Sequence, residues 1–191
     1  MKDNYIEDKT FKKIDFTKSS LEKAEYNYCK FIDCNFENLK LSDFKFIECE
    51  FTNCNLSNVK TANTAFQEIV FDNCKILGVH FDDCNKFLLS FSFKECQLNL
   101  SSFYALSIKN TKFTDCNLQD VDFTETNLTN SLFDNCDLSN SIFENTILEK
   151  VDFTTSFNYI INPEINRIKK AKFSKDGLAG LLNNYDIVIE N

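Results

Sequence analysis

The chain is poor in the residues that ordinarily reverse a backbone. In 191 residues there are three glycines and one proline. A fold that turns often must then turn on Asn, Asp, Ser and Thr, whose short polar side chains tolerate turn geometry. The three glycines, Gly78, Gly177 and Gly180, are too scattered to form a phosphate-cradling loop. Tryptophan is absent and His80 is the only histidine, so neither a Cys-His metal set nor a Cys-His nucleophile pair is legible. No apolar run approaches the roughly 20 residues that span a bilayer. The first ten residues are polar and acidic and do not read as a signal peptide, so a cytoplasmic protein is predicted. With 29 acidic and 21 basic residues the formal charge is −8, which disfavours direct binding to nucleic acid or to an anionic membrane.

What is abundant is phenylalanine, 21 residues of it, and it is periodic. A large apolar residue falls at every fifth position from Phe11 to Leu56. After a gap at Thr61 it resumes with Phe66, Phe71, Ile76 and Phe81, and a second run extends from Phe93 to Phe153. Of 28 such positions 27 are apolar. A period of five fits neither a helix at 3.6 nor a strand at 2; it describes a solenoid with five-residue sides. Phe11, Phe31, Phe51 and Phe71 are spaced by 20, a step of 22 reaches Phe93, and steps of 20 resume to Phe153. Four sides per coil follow: a stack of eight Phe, a ladder of Cys, an acidic side, and one side that takes two extra residues between Phe81 and Phe93. With coils about 4.8 Å apart, seven to eight coils make a rod roughly 35 Å long. The insertion reads either as a tolerated irregularity or as a functional bulge.

All nine cysteines lie two residues before a central position of the repeat. The same place holds Ala24, Val59, Ser101, Thr111 and Val121, among others, so it selects a small inward side chain and cysteine serves there as a small hydrophobe. No CxxC pair occurs, and stacked thiols in a reducing compartment are not expected to form disulfides. Neither a metal nor a cofactor is expected. Carboxylates are spread over the outside without a visible cleft, and a Phe-filled rod leaves no substrate pocket, so a non-enzyme is predicted.

The unit small–polar–Leu/Phe–polar–polar, as in Cys34-Asn35-Phe36-Glu37-Asn38, Cys54-Asn55-Leu56-Ser57-Asn58 and Cys136-Asp137-Leu138-Ser139-Asn140, resembles the pentapeptide-repeat family. The resemblance covers roughly residues 9 to 155. It implies an all-β fold, a right-handed quadrilateral β-helix, with residues 1–10 as an N-terminal cap, 11–155 as the β-helix and 156–191 as a small strand–helix–strand cap. In that cap Lys170 to Phe173 suits a strand, Ser174 an N-cap, 175 to 185 a helix, and Ile187-Val188-Ile189 a closing strand. The segments Ile161 to Ile168, Gly177-Leu178 and Ile187 to Ile189 resemble the ends of the microcin-immunity and quinolone-resistance (Qnr-like) members. That resemblance implies a homodimer joined through Leu178, Leu181, Leu182, Ile187 and Ile189. It also implies binding to DNA gyrase or topoisomerase IV as a mimic of duplex DNA, giving immunity or resistance to a topoisomerase poison. Gram-negative Qnr proteins carry two sizeable loops, whereas here only the two-residue insertion is visible.

The acidic side displays Glu22, Asp43, Asp82, Asp83, Asp122, Glu125 and Glu144 against Lys23, Lys40, Lys60 and His80; its lysines lie in the first half, so the acid concentrates from Asp82 onward. A 35 Å rod of duplex DNA carries about 20 charges, well above this chain's net charge, so the match would rest on placement along one face. The stripe suits a basic saddle or is a solvated face kept charged for solubility. An interaction scaffold with an unrelated partner is the alternative to the topoisomerase reading.

Overall fold

The computed structural model describes residues 4–185, 187 and 188. It is an all-β parallel solenoid of about eight turns, a right-handed quadrilateral β-helix ending in one short helix. Each coil has four sides. The Phe side carries nine parallel strands, with Phe11↔Phe31, Phe31↔Phe51, Phe51↔Phe71, Phe71↔Phe93 and Phe93↔Phe113 in register. Neighbouring rings along it stack with centroids 4.8–5.5 Å apart, and Phe153 stacks on Phe173. The column therefore holds nine rings, one more than periodicity alone predicts, because Phe173 returns to the register after an irregular coil.

Most corners of the rod are residues in the left-handed region. Among the described residues 27 non-glycine positions have φ between 51° and 62°, and 16 of these are Asn or Asp. These are the types for which left-handed geometry costs least after glycine, so the chain can turn every five residues with almost no glycine. Gly78 is the one glycine at such a corner, with φ 62°. The residue before each central position explains a second part of the unit. Asn35, Asn55, Asn117, Asp122, Asp137 and Asp152 each accept, through Oδ1, the backbone N–H two residues on, which closes the turn locally.

The cysteine position is more than small. Cys54 and Cys74 donate Sγ–H to the carbonyls of Phe31 and Phe51 at 3.2 Å. Thr126, Thr146 and Ser156 donate to Phe103, Phe123 and Phe133 at 2.7–2.8 Å in the same place of the repeat. Cys, Ser and Thr interchange because each is compact and carries one donor for the carbonyl of the preceding coil. Larger residues also occupy the place: Phe44, Ile69, Phe91 and Leu106 are all buried, so smallness is not a strict rule. Thr61, the polar exception in a central position, is buried and donates Oγ1–H to the His80 carbonyl.

The two extra residues are Leu89 and Ser90. Ala65 still pairs with Asn85 at a step of 20, and Ile69 pairs with Phe91 at 22. Leu88 keeps the corner conformation of Tyr28, Glu48 and Glu68. Leu89 is then buried, while Ser90 accepts the Glu68 N–H at 2.7 Å and donates its own N–H to Phe66. The side that takes the insertion is interrupted there. Its sheet, Tyr5–Glu7, Glu25–Asn27, Lys45–Ile47 and Ala65–Gln67, ends at the Asn85 bridge. Among the described residues no backbone hydrogen bond joins 84–90 to 105–110. The ladder restarts at Ser107↔Asn127.

At the far end the ladder continues beyond residue 155, through Asp137↔Phe157, Ile147↔Arg167 and Phe153↔Phe173. Tyr159 closes the last coil, its ring 5.6 Å from Phe153 and 5.7 Å from Phe173. The expected helix runs as three short turns, 3-10 over Asp176–Leu178, α over Ala179–Leu182 and 3-10 over Asn183–Tyr185. Ser174 Oγ accepts the Gly177 N–H at 3.0 Å, the cap expected of it. A Cβ on Gly180 would lie 2.1 Å from the Tyr159 carbonyl oxygen, so that glycine permits the helix to dock. Ile187 and Val188 form no strand and are exposed. They therefore depart from the expected closing strand, and Ile189 lies outside the described residues.

Candidate protein-binding side

The four sides share one interior and differ only in what they display. The acidic side is centred on Leu21, Leu41, Thr61, Phe81, Phe103, Phe123 and Phe143, with Phe81, Phe103, Phe123 and Phe143 stacked 4.8–5.3 Å apart beneath its second half. That regular core holds the outer residues at one coil spacing. His80↔Ser102, Ser102↔Asp122 and Asp122↔Ile142 pair in register.

Charge is divided unevenly along the rod. Residues 11–81 contain 10 acidic and 9 basic residues, and residues 82–153 contain 12 acidic and 5 basic. The first half also pairs several of its acids across coils: Lys23 with Asp43 at 2.8 Å, Lys30 with Glu50 at 3.0 Å and Lys45 with Glu25 at 3.2 Å. In the second half of the acidic side, Asp83, Glu125 and Glu144 are exposed and have no cation partner among the described residues. Asp122 is half-buried, with one oxygen accepting the Thr124 N–H at 2.8 Å. Asp82 sits in a 3-10 turn with Oδ1 3.5 Å from His80 Nδ1 and no donor to it. The five predicted carboxylates therefore share one side but not one continuous row. Asp82 and Asp83 stand on one coil, Asp122 and Glu125 two coils on, and Glu144 on the next. The coil between presents Ser102, Tyr104 and Ala105 instead. Tyr104 and Ile142 are exposed apolar groups on this acidic side. Sequence reasoning passed over them because it tracked charge alone.

Of the residues predicted to pair two copies, Leu178, Leu182 and Ile187 are exposed. Leu181 turns inward against the core, and Ile189 lies outside the described residues. Leu178 and Leu182 flank a half-buried face, so the exposed part is smaller than five apolar residues would make it.

The nine thiols are all free and buried. Burial pushes Cys49 and Cys84 up to about 12, which leaves them protonated and unreactive at neutral pH. Among the described residues no group of three His, Cys, Asp or Glu is placed to hold a metal ion. No helix among them is long and apolar enough to cross a membrane. The surface hollows are shallow. The largest described, about 410 Å3, lies between Glu48, Glu68 and Leu88 beside the insertion. A second, about 260 Å3, lies at the C-terminal end of the acidic side between Ile142, Glu144, Ile160 and Ile165.

Residues 86–157 match a family model described as a pentapeptide repeat region, and residues 29–60 and 49–85 match the model for pentapeptide repeats in eight copies. The solved structures with similar folds include one of trypsin-treated QnrB1, a plasmid-mediated fluoroquinolone resistance protein. It has a TM-score of 0.75 at 16% identity, covering 98% of this chain and 92% of that one. A second structure of trypsin-treated QnrB1, carrying a different substitution, gives a TM-score of 0.62 at 14% identity, covering 98% of both chains. At these identities the likeness is one of fold. None of the curated proteins matches this sequence significantly.

Proposed function

The chain belongs to the pentapeptide-repeat family, and from that premise we propose that it is a non-catalytic binding rod whose acidic side occupies the DNA-binding saddle of a type II topoisomerase. DNA gyrase and topoisomerase IV are the partners, and the outcome is protection from a topoisomerase poison. The observation that carries this reading is the set of unpaired carboxylates Asp83, Glu125 and Glu144, with Asp82 and Asp122 beside them. In the first half Asp15, Glu25, Asp43, Glu50 and Asp72 each have a lysine within 4 Å; on the second half of the acidic side Asp83, Glu125 and Glu144 have none among the described residues. From the Phe81 coil to the Phe143 coil is about 15 Å, over which duplex DNA carries about nine charges. Five carboxylates on a single side supply a substantial part of that density to a saddle contacting one face. The likeness to a fluoroquinolone resistance protein supports the same direction. Two rods join through Leu178, Leu182 and Ile187, which doubles the length of acidic surface. The site of action is the cytoplasm, where such enzymes work.

In a supercoiling assay the purified protein inhibits gyrase and reduces cleavage induced by a poison. No effect on either readout at a hundredfold molar excess over enzyme overturns the proposal. Tyr104 and Ile142 favour a second reading, an interaction scaffold for another protein, because apolar groups add nothing to an imitation of phosphate. A pull-down led by proteins other than gyrase and topoisomerase IV supports that scaffold.

A further inference from the structure

The hollow at the C-terminal end of the acidic side joins an apolar surface to an acidic one. Ile142, Ile160 and Ile165 line it and are 45%, 50% and 45% exposed. Glu144 lines it as well, and neither Lys, Arg nor His is among its lining. Two further carboxylates adjoin it: Glu125 donates its N–H to the Glu144 carbonyl at 2.8 Å, and Asp122 pairs with Ile142 across adjacent coils. At about 260 Å3 the hollow is below the range that encloses a drug-sized ligand, and its size suits one large side chain. Three clustered isoleucines gain by being covered, and three carboxylates without a cation attract one.

We propose that this groove receives a basic amphipathic helix of a partner protein. One large apolar side chain of the helix seats among Ile142, Ile160 and Ile165. Its lysines or arginines, one per turn, face Glu144 on one coil and Glu125 with Asp122 on the preceding coil. The helix pitch of 5.4 Å is close to the coil spacing of about 4.8 Å, so successive turns of a helix lying along the rod meet successive coils. A second copy of this chain is the poorer occupant. Its exposed Leu178 and Leu182 are not part of the groove, and a contact between two different patches propagates into open-ended chains. The inference does not depend on the partner being a topoisomerase, and the gyrase assay above is blind to it.

The test uses the full chain and a fluorescein-labelled 14-residue leucine/lysine peptide of amphipathic helical pattern, followed by anisotropy. A lysine/serine peptide of equal charge and a leucine/glutamate peptide of equal apolar content serve as comparisons. The leucine/lysine peptide is expected to bind saturably with one site per chain, and each comparison peptide at least tenfold more weakly. Ile160→Ser and Glu144→Gln each weaken binding at least tenfold, and Phe87→Ser, at the exposed insertion, leaves it unchanged. Both groove residues are surface groups, and unaltered melting of each variant verifies the fold. Equal affinity for the lysine/serine peptide overturns the proposal. So does insensitivity to both groove substitutions, or sedimentation of the protein as oligomers that Ile160→Ser dissociates, which would make a second copy the occupant.

Discussion

The two halves of the rod are built on the same interior and present surfaces of different charge. From Phe11 to Phe81 acids and bases nearly balance and five of the ten acids have a lysine within 4 Å, as Asp43 does with Lys23 and Glu25 with Lys45 one coil away. From Asp82 to Phe153 acids outnumber bases more than two to one, and one side leaves them unpaired. The insertion at Leu89 and Ser90 marks the boundary and breaks the ladder of one side without disturbing the Phe stack. A repeat protein separates the two tasks: inward positions hold the coil together, and outward positions are free to differ along its length.

If the interior is common to both halves, damage to it should be indifferent to position. Phe31→Ala and Phe113→Ala each remove a fully buried ring from the same column. Each is expected to cost about 3–5 kcal/mol in one cooperative denaturant transition, seen alike by far-UV dichroism and tyrosine fluorescence. Two separate transitions would show that the ladder break divides the rod into independent units. Gly180→Ala sets a Cβ against the Tyr159 carbonyl and should cost about 1–3 kcal/mol as an overpacking change, with hydrogen exchange faster at the C-terminal helix than in the coils. Cys54→Ser keeps a donor for the Phe31 carbonyl and should change stability by less than about 1 kcal/mol, as thermal melting will report.

The acid limb should also be common to both halves. The Lys18 ammonium and the Thr17 hydroxyl hold Asp15 down at about 2, and Lys23 with Asn63 lowers Asp43. Burial alone raises Asp152, but the Lys172 ammonium and the Thr154 hydroxyl and N–H outweigh it and the carboxyl is lowered. A carboxyl lowered on folding contributes stability that is complete above its unfolded value, near 4, and is lost as pH falls through its folded value. The melting temperature is therefore expected to be level from pH 7 to 5 and to fall between about pH 4 and 2. A loss beginning above pH 5 would contradict these assignments.

The rod was legible in the sequence because its core is one position repeated, and periodicity survives any single exception such as Thr61. The cysteines were legible as core for the same reason. Their hydrogen-bonding role was not, since a donor and a small hydrophobe look alike in a list of Cys, Ser, Thr and Val. Phe173 was missed as the ninth ring because the coil from Ser156 to Ile168 abandons the five-residue beat while keeping the backbone ladder. Leu181 was grouped with Leu178 and Leu182 by helical spacing, yet the chain there is a succession of 3-10 and α turns that rotates it inward. The sequence placed the acidic residues on one side of the rod, but it did not single out Tyr104 or the isoleucines around the groove. Ile142 comes from one coil and Ile160 and Ile165 from the stretch that follows Phe153, and only the folding of the last coils brings the two segments together.

The claim that the open carboxylates of the second half form the binding surface is tested most directly by competition with duplex DNA for gyrase. A variant carrying Asp82→Asn, Asp83→Asn, Asp122→Asn, Glu125→Gln and Glu144→Gln keeps the side-chain oxygens, including the one that closes the turn at Asp122. A matched variant carries five such changes in the first half, at Glu22, Glu25, Asp33, Asp43 and Glu50. The account predicts that the unaltered protein displaces DNA from gyrase, that the first-half variant does so with similar potency, and that the second-half variant loses at least tenfold. Equal potency of the two variants, or no displacement by the unaltered protein, would contradict it.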